Sequence, residues 1–327
     1  MVDSAEPEID EEPPPKLYRL KGGKVPFMLR LKSWWQGVEL QERETPPPLP
    51  EPEPEPEAAK PAALGQDTIE RLKQPWQPER IAMAQAIWGQ GFLTPGGPEY
   101  VEYMVKPLGL TNESVVLDIG AALGGPARLM AKEFNAWITG LESDAGLAEQ
   151  GMAMTTQAGL AKKAPIEHFD RTQVPIDKAK YHCIFSKEAL FRIENKEELL
   201  SRMKKGLKPR GQLLFSDFVV SASGASNDAL TAWAEVHHPT PEFWTKEDYV
   251  SRLTTLGLDV RVDEDITDRL RAEILRGCAK FVDGAAQAEL TRLDKVALAS
   301  ELEYWARCVA AIDSGVLRVC RIYGISH

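Results

Sequence analysis

The segment Val115-Val116-Leu117-Asp118-Ile119-Gly120-Ala121-Ala122-Leu123-Gly124-Gly125 constrains the fold of this chain more than any other. Five strand-forming residues run into a glycine turn, and Pro126 to Ala131 then opens a helix, so the backbone reverses sharply at the carboxyl end of a strand. Open α/β sheets bind their ligands at such a point. Glycine tolerates positive φ and close approach, and the start of the helix presents N–H groups that no helical carbonyl satisfies.

The chain beyond this turn alternates between the two periods. Strands are predicted at 115–119, 137–141, 166–169, 181–186 and 212–219, and helices at 126–134, 144–159, 187–190 with 195–206, and 226–236. This alternation implies parallel strands joined by crossover helices. Lys208-Pro209-Arg210-Gly211 is predicted as a turn before the fifth strand. A helix at 245–256, a strand at 258–263, helices at 267–282 and 287–313 and a final strand at 315–325 complete the pattern. A helix at 79–88 precedes the sheet, followed by the turn-rich stretch Trp88 to Gly97, which is placed to cover a ligand site or to serve as a plain connector.

Residues 1–65 hold 13 of the 24 prolines and little apolar periodicity, so a disordered tail is expected there, with residues 66–327 forming the folded domain. The alternating Pro-Glu run from Pro46 to Glu57 favours an extended spacer. One island differs. Between residues 16 and 38 lie Lys16, Arg19, Lys21, Lys24, Arg30 and Lys32, no acid before position 39, and Trp34-Trp35. If Phe27 to Val38 is helical, Phe27, Leu31, Trp34, Trp35 and Val38 share a face. That segment can fold back on the domain, dock on a protein partner or lie on an anionic membrane surface.

A net charge of −10 and a pI near 5.2 argue against a nucleic-acid partner. The four cysteines form no CxxC pair, which fits a reducing, cytoplasmic setting. Attachment at the membrane periphery through residues 16–38 is the second reading. No run approaches the roughly 18 apolar residues of a span.

A glycine turn alone fits NAD, a P-loop nucleotide or S-adenosylmethionine. The pattern G-x-x-x-x-G-K-[ST] is missing, and G-x-G-x-x-G fails because position 122 is alanine, which disfavours NAD. S-adenosylmethionine asks instead for a ribose diol acceptor and an adenine contact. Glu142 ends the second strand about 20 residues past the turn, Phe169 and Asp170 end the third, and Ser186-Lys187-Glu188 end the fourth.

Those residues also carry a resemblance. From about Trp76 onward the chain resembles class I S-adenosylmethionine-dependent methyltransferases, nearest to the phosphoethanolamine and ubiquinone/menaquinone group. The resemblance rests on Gly89 to Gly97, Val116 to Gly120 with Leu123 to Gly125, Phe185 to Leu190, and Leu207 to Asp217. It implies a Rossmann-like α/β sheet of seven strands, the last antiparallel, under a helical cap. By the same resemblance Gly120, Ala122 and Gly124 line the aminoacyl part of the cofactor, Asp118 orders the loop, Glu142 holds ribose, Asp170 and Phe169 meet adenine, and Leu93 and Thr94 approach from the cap. Ser186 and Lys187 complete the cofactor side.

Two departures from the pattern matter. The family's Tyr–His pair corresponds to Trp76 and Arg192, and its phosphate-binding tyrosine to Phe218; neither indole nor guanidinium is a base at neutral pH, so phosphoethanolamine is not the expected acceptor. Ala122 replaces a usual glycine, a change tolerated at negative φ. Candidate catalytic residues are His237 and His238, in the insertion expected to form a substrate lid, and Arg192; Lys187, Trp244 and Arg318 are further acceptor-side candidates, and no metal site is expected. The function implied is methyl transfer to a small-molecule, lipid or quinone-like acceptor. The alternative is a degenerate fold serving as a binding or scaffold module through its N-terminal tail.

Overall fold

A computed structural model describes residues 27–35, 76–223, 227–237, 240–285 and 290–327. The elements in order are α1 (Phe27–Trp35), α2 (Pro78–Trp88), α3 (Gly97–Val105), β1 (Val115–Ile119), α4 (Gly125–Glu133), β2 (Trp137–Glu142), α5 (Ala145–Gln157), β3 (Ile166–His168) and β4 (Tyr181–Lys187). After a 3₁₀ turn (Leu190–Arg192) come α6 (Lys196–Gly206), β5 (Leu207–Val220), α7 (Asp228–Ala234), α8 (Lys246–Thr255), β6 (Leu258–Asp265), α9 (Thr267–Ala285), α10 (Arg292–Asp313) and β7 (Leu317–Ser326).

The strands form one sheet in the order β3-β2-β1-β4-β5-β7-β6. The first five run parallel, and β7 enters antiparallel between β5 and β6. β1 lies at the centre of the parallel part, with Val116 paired to both Ile138 and Cys183. Its pleat explains why so short a strand is apolar on both sides. Val116 faces the core under α2, α3, α4, α9 and α10, whereas Leu117 and Ile119 face the core under α6 and α8.

Several helices begin where the sequence supplies side-chain caps. Asp144 accepts from Leu147 N–H at 2.9 Å and Asn195 from Glu198 N–H at 3.0 Å, while Thr245 with Asp248 and Thr291 with Asp294 form reciprocal capping boxes. The expected turn at Lys208 to Gly211 is corrected. These residues belong to β5, which pairs Leu207 with Tyr181 and then resumes at Gln212 opposite Cys183, so the Pro-Gly stretch is absorbed as a bulge with Arg210 at φ +61°.

The expected disordered tail falls outside the described residues except for α1. That helix lies on α9: Met28, Leu31 and Trp35 pack against the core and Lys32 Nζ stands 2.8 Å from Asp283. The single shared face expected for this segment is therefore divided. Phe27 and Trp34 point outward, 44% and 60% exposed. No helix among the described residues is long and apolar enough to cross a membrane.

Candidate active site

The glycine turn is held by main-chain bonds and by side chains on both flanks, Glu142 accepting from Ala122 N–H and Arg128 donating to Leu123 O. Gly120 and Ala121 N–H both donate to Leu141 O, at 2.8 and 2.9 Å, which brings the end of β2 against the turn. Gly120 lies at φ +82°, and a β-carbon there would stand 2.2 Å from the Ala189 methyl, so glycine is required for close packing as well as for conformation. Ala122 also has positive φ, +48°, so the condition under which its methyl would be tolerated without strain is not met.

Glu142 closes the turn from the other side. Its Oε2 accepts from Ala122 N–H at 2.8 Å, and its Oε1 accepts from Asp144 N–H at 2.8 Å and from the Ser143 hydroxyl at 3.3 Å. A carboxylate offers about four lone-pair sites, so capacity for a ligand hydroxyl remains. Beneath it Asp118 is fully buried and its Oδ2 has no hydrogen-bond partner. Burial, and secondarily the Glu142 carboxylate, push its pKa up to about 8.

These groups border a cavity of about 170 Å³ at the carboxyl ends of β1, β2 and β4. Leu93, Thr94, Gly120, Ala122, Glu142 and Phe169 line one half, and Lys187, Arg192 and His237 contribute to the wall. Four expected cofactor residues do not line it. Asp118 lies beneath the turn; Gly124, at φ +75°, caps α4 against Ile166; the Ser186 hydroxyl donates to Ile119 O at 2.7 Å; and the exposed Asp170 accepts two 2.9 Å bonds from Thr172. Those bonds lower the Asp170 pKa.

Lys187 has a different role from the one expected of a ligand contact. Its buried ammonium donates to Thr94 Oγ1 at 2.6 Å, to Pro95 O at 3.0 Å and to Glu188 Oε2, tying the glycine-rich cap to the end of β4. Glu188 in turn accepts from the Ser216 hydroxyl at 2.7 Å and lies at φ +47°.

The other half of the cavity is aromatic and cationic. His237 lies among Trp233, Phe191 and Tyr304, with ring centroids 4.7, 5.2 and 5.5 Å away. Phe218 belongs to the same cluster, 4.7 Å from Trp233. Arg192 stands 5.1 Å over Phe191, and its Nε is buried without a hydrogen-bond partner. The turn carrying it is anchored from behind, because Asp217 accepts from Phe191 N–H at 3.1 Å and from Tyr249 hydroxyl at 2.7 Å. His238 lies outside the described residues. Trp244 packs against Tyr249, and Arg318 stands 3.9 Å from Asp265, both away from the cavity.

The expected lid after β5 supplies only Val236 and His237 among the described lining residues. The facing wall comes from Trp76, just before α2, and Arg80 on α2 on one side, and from Glu301, Tyr304 and Trp305 on α10 on the other. Sequence reasoning missed Glu301, although a signal existed. It interrupts the stripe Ala297, Leu298, Leu302, Trp305 and Cys308, and a carboxylate on the buried face of a helix requires a partner. Among the described residues, no three of His, Cys, Asp and Glu converge in a metal-binding group.

A parallel sheet with an antiparallel strand inserted near its edge, a glycine turn after β1 and an acid at the end of β2 is the arrangement at which Rossmann-like sheets bind nucleoside-type ligands. The family itself is given by comparison: residues 98–261, half of the chain, match the family model described as a methyltransferase domain, and the chain belongs to that family. Similar curated proteins include phosphoethanolamine N-methyltransferase 1 of Zea mays, 25% identical over 62% of this chain and 39% of the relative. The phosphoethanolamine N-methyltransferase of Plasmodium falciparum is 26% identical over 58% and 70%. The chain thus spans about two fifths of the length of the maize relative.

Solved structures extend the likeness of fold. Haemonchus contortus phosphoethanolamine N-methyltransferase 2, in complex with phosphomonomethylethanolamine and S-adenosylhomocysteine, superposes with a TM-score of 0.70 at 18% identity, over 79% of this chain and 60% of that one. Geranyl diphosphate C-methyltransferase from Streptomyces coelicolor gives 0.55 at 14%, over 77% and 99%.

Proposed function

We propose that this chain transfers a methyl group from S-adenosylmethionine to a small acceptor bearing an anionic group. The observation that carries the reading is the carboxylate of Glu142, held against the glycine turn by Ala122 N–H and lining the cavity with a lone-pair site to spare. The orphaned Asp118 Oδ2 beneath the turn fits a cationic ligand nearby, since a positive charge favours the ionised carboxylate. When bound, the cofactor supplies an electrophilic methyl group on a sulfonium. Glu142 would hold a ribose hydroxyl, and Leu93 and Phe169 would give apolar contact.

On the acceptor side, the unpartnered Nε of Arg192 suits a phosphate, diphosphate or carboxylate, and the aromatic walls suit an apolar body, including a lipid or quinone-like one. Relatives and neighbours act, by their names, on phosphoethanolamine, glycine and geranyl diphosphate. Trp76 and Arg192 cannot accept a proton from phosphoethanolamine at neutral pH, so that acceptor would have to lose its proton to another group. His237 is the candidate base within the cavity. Methyl transfer draws much of its rate from orientation and exclusion of water, so an obligatory base is not required.

Calorimetric titration with S-adenosylmethionine tests the reading. Saturable binding is expected, weakened at least about tenfold, or 1.4 kcal/mol, by Glu142→Ala; no affinity in the unaltered protein overturns it. The second reading, a degenerate fold used as a binding module, draws on the Ala122 methyl and on a cavity smaller than the roughly 300–1,000 Å³ of most ligand sites. Under that reading Glu142→Ala leaves partner capture intact, and removing residues 1–65 abolishes it.

A further inference from the structure

The wall between α2 and α10 has the composition of a cation-binding site. Glu301 is a carboxylate only 1% exposed, and its two oxygens are spoken for: Oε1 accepts from Trp305 Nε1 at 2.8 Å and Oε2 from Arg80 Nε at 2.9 Å. The Arg80 guanidinium carbon lies 4.8 Å from the Trp76 ring centroid and 5.4 Å from that of Tyr304. Aromatic faces around a desolvated carboxylate attract a positive group by both quadrupole and charge. All five residues line the cavity, and the Arg80 side chain is 17% exposed.

We propose that this slot is a cation subsite which the chain fills with its own guanidinium, and that Arg80 is the specificity-determining residue that shuts ammonium-bearing acceptors out of this half of the cavity. The proposal deepens the methyl-transfer reading, on which its meaning for acceptors rests. A buried carboxylate cannot be left uncompensated without a cost of several kcal/mol, so removing Arg80 makes the slot a site that demands a cation. Methylguanidinium restores the charge and N–H donors that the truncation removes, and tetramethylammonium offers charge with an apolar surface to the Trp76 and Tyr304 faces. Arg192, 5.1 Å from Phe191 and without a carboxylate partner, remains to bind the anionic end of an acceptor.

The test is a titration of Arg80→Ala with methylguanidinium or tetramethylammonium chloride at millimolar concentration, against sodium chloride at equal ionic strength. Trp76 and Trp305 fluorescence and the melting temperature are the readouts. Saturable binding at least tenfold tighter than in the unaltered protein is expected, with a rise in melting temperature, and Arg80→Ala with Glu301→Gln should lose the response. A single variant responding no better than the unaltered protein, or a double variant responding equally, overturns the proposal. Should Arg80→Ala fail to fold in sodium chloride, refolding yield replaces fluorescence: yield restored by methylguanidinium supports the subsite, and equal yield in both salts overturns it. Because no cofactor or acceptor enters the experiment, its outcome is separate from that of the S-adenosylmethionine titration.

Discussion

Ala122 holds a left-handed backbone angle in the middle of the turn, where a β-carbon costs about 1–2 kcal/mol. Its N–H donation to Glu142 is one contact that holds it there, so the strain is stored where the second strand meets the turn. Ala122→Gly should relieve that strain while adding freedom to the unfolded chain, for a net gain of up to about 1 kcal/mol. Urea denaturation measures it, and a destabilised variant would show that the methyl's packing outweighs the strain. Cofactor affinity should hold or rise, because the change removes a methyl from the cavity wall.

At the scale of elements, the cap is secured by one buried ammonium. Lys187 joins Thr94, Pro95 and Glu188, and Lys187→Met would leave the Glu188 carboxylate with the Ser216 hydroxyl alone. A loss of about 3–5 kcal/mol is expected from breaking such a pair on one side, with faster hydrogen exchange across residues 89–97. A loss under about 1 kcal/mol would show that the cap is held elsewhere. The sequence showed that Lys187 lies at a strand end but not which way it points, because strand position follows from local pattern and its cap partners Thr94 and Pro95 lie 93 and 92 residues away. The same division runs through the site. The turn, Glu142 and Phe169 were legible because consecutive strand ends converge by topology, and the Trp76–Arg80–Glu301 slot was not, because it joins two helices 221 residues apart. His237 was legible as a residue type but not as part of an aromatic cluster, which only tertiary packing assembles.

For the molecule as a whole, two buried carboxyls set how stability responds to pH. Burial, with Glu142 behind it, raises Asp118 to about 8; burial raises Asp217 to about 7 against the opposing pull of Tyr249, Phe191 N–H and Lys196. An ordinary aspartate titrates near 3.9, so the native state holds protons that the unfolded chain has released. The stability from these groups is therefore complete below about pH 4 and is lost as pH rises through about 7 and 8. The slope reaches at most about 1.4 kcal/mol per pH unit for each group. Denaturation at pH 5, 7 and 9 should show this fall, and Asp118→Asn should flatten its upper part; an unchanged slope in the variant would assign the effect elsewhere.

The placement of β7 bears on the order in which the molecule comes together. β5 and β6 are not hydrogen-bonded to each other, since each pairs with β7, which follows both in the chain. A polypeptide emerging from its amino end can pair β1 to β5 while β6, although it packs on α8, has no strand to pair with. Closure of the sheet waits for a strand made after α10, so the far edge is paired only once the last strand is in place.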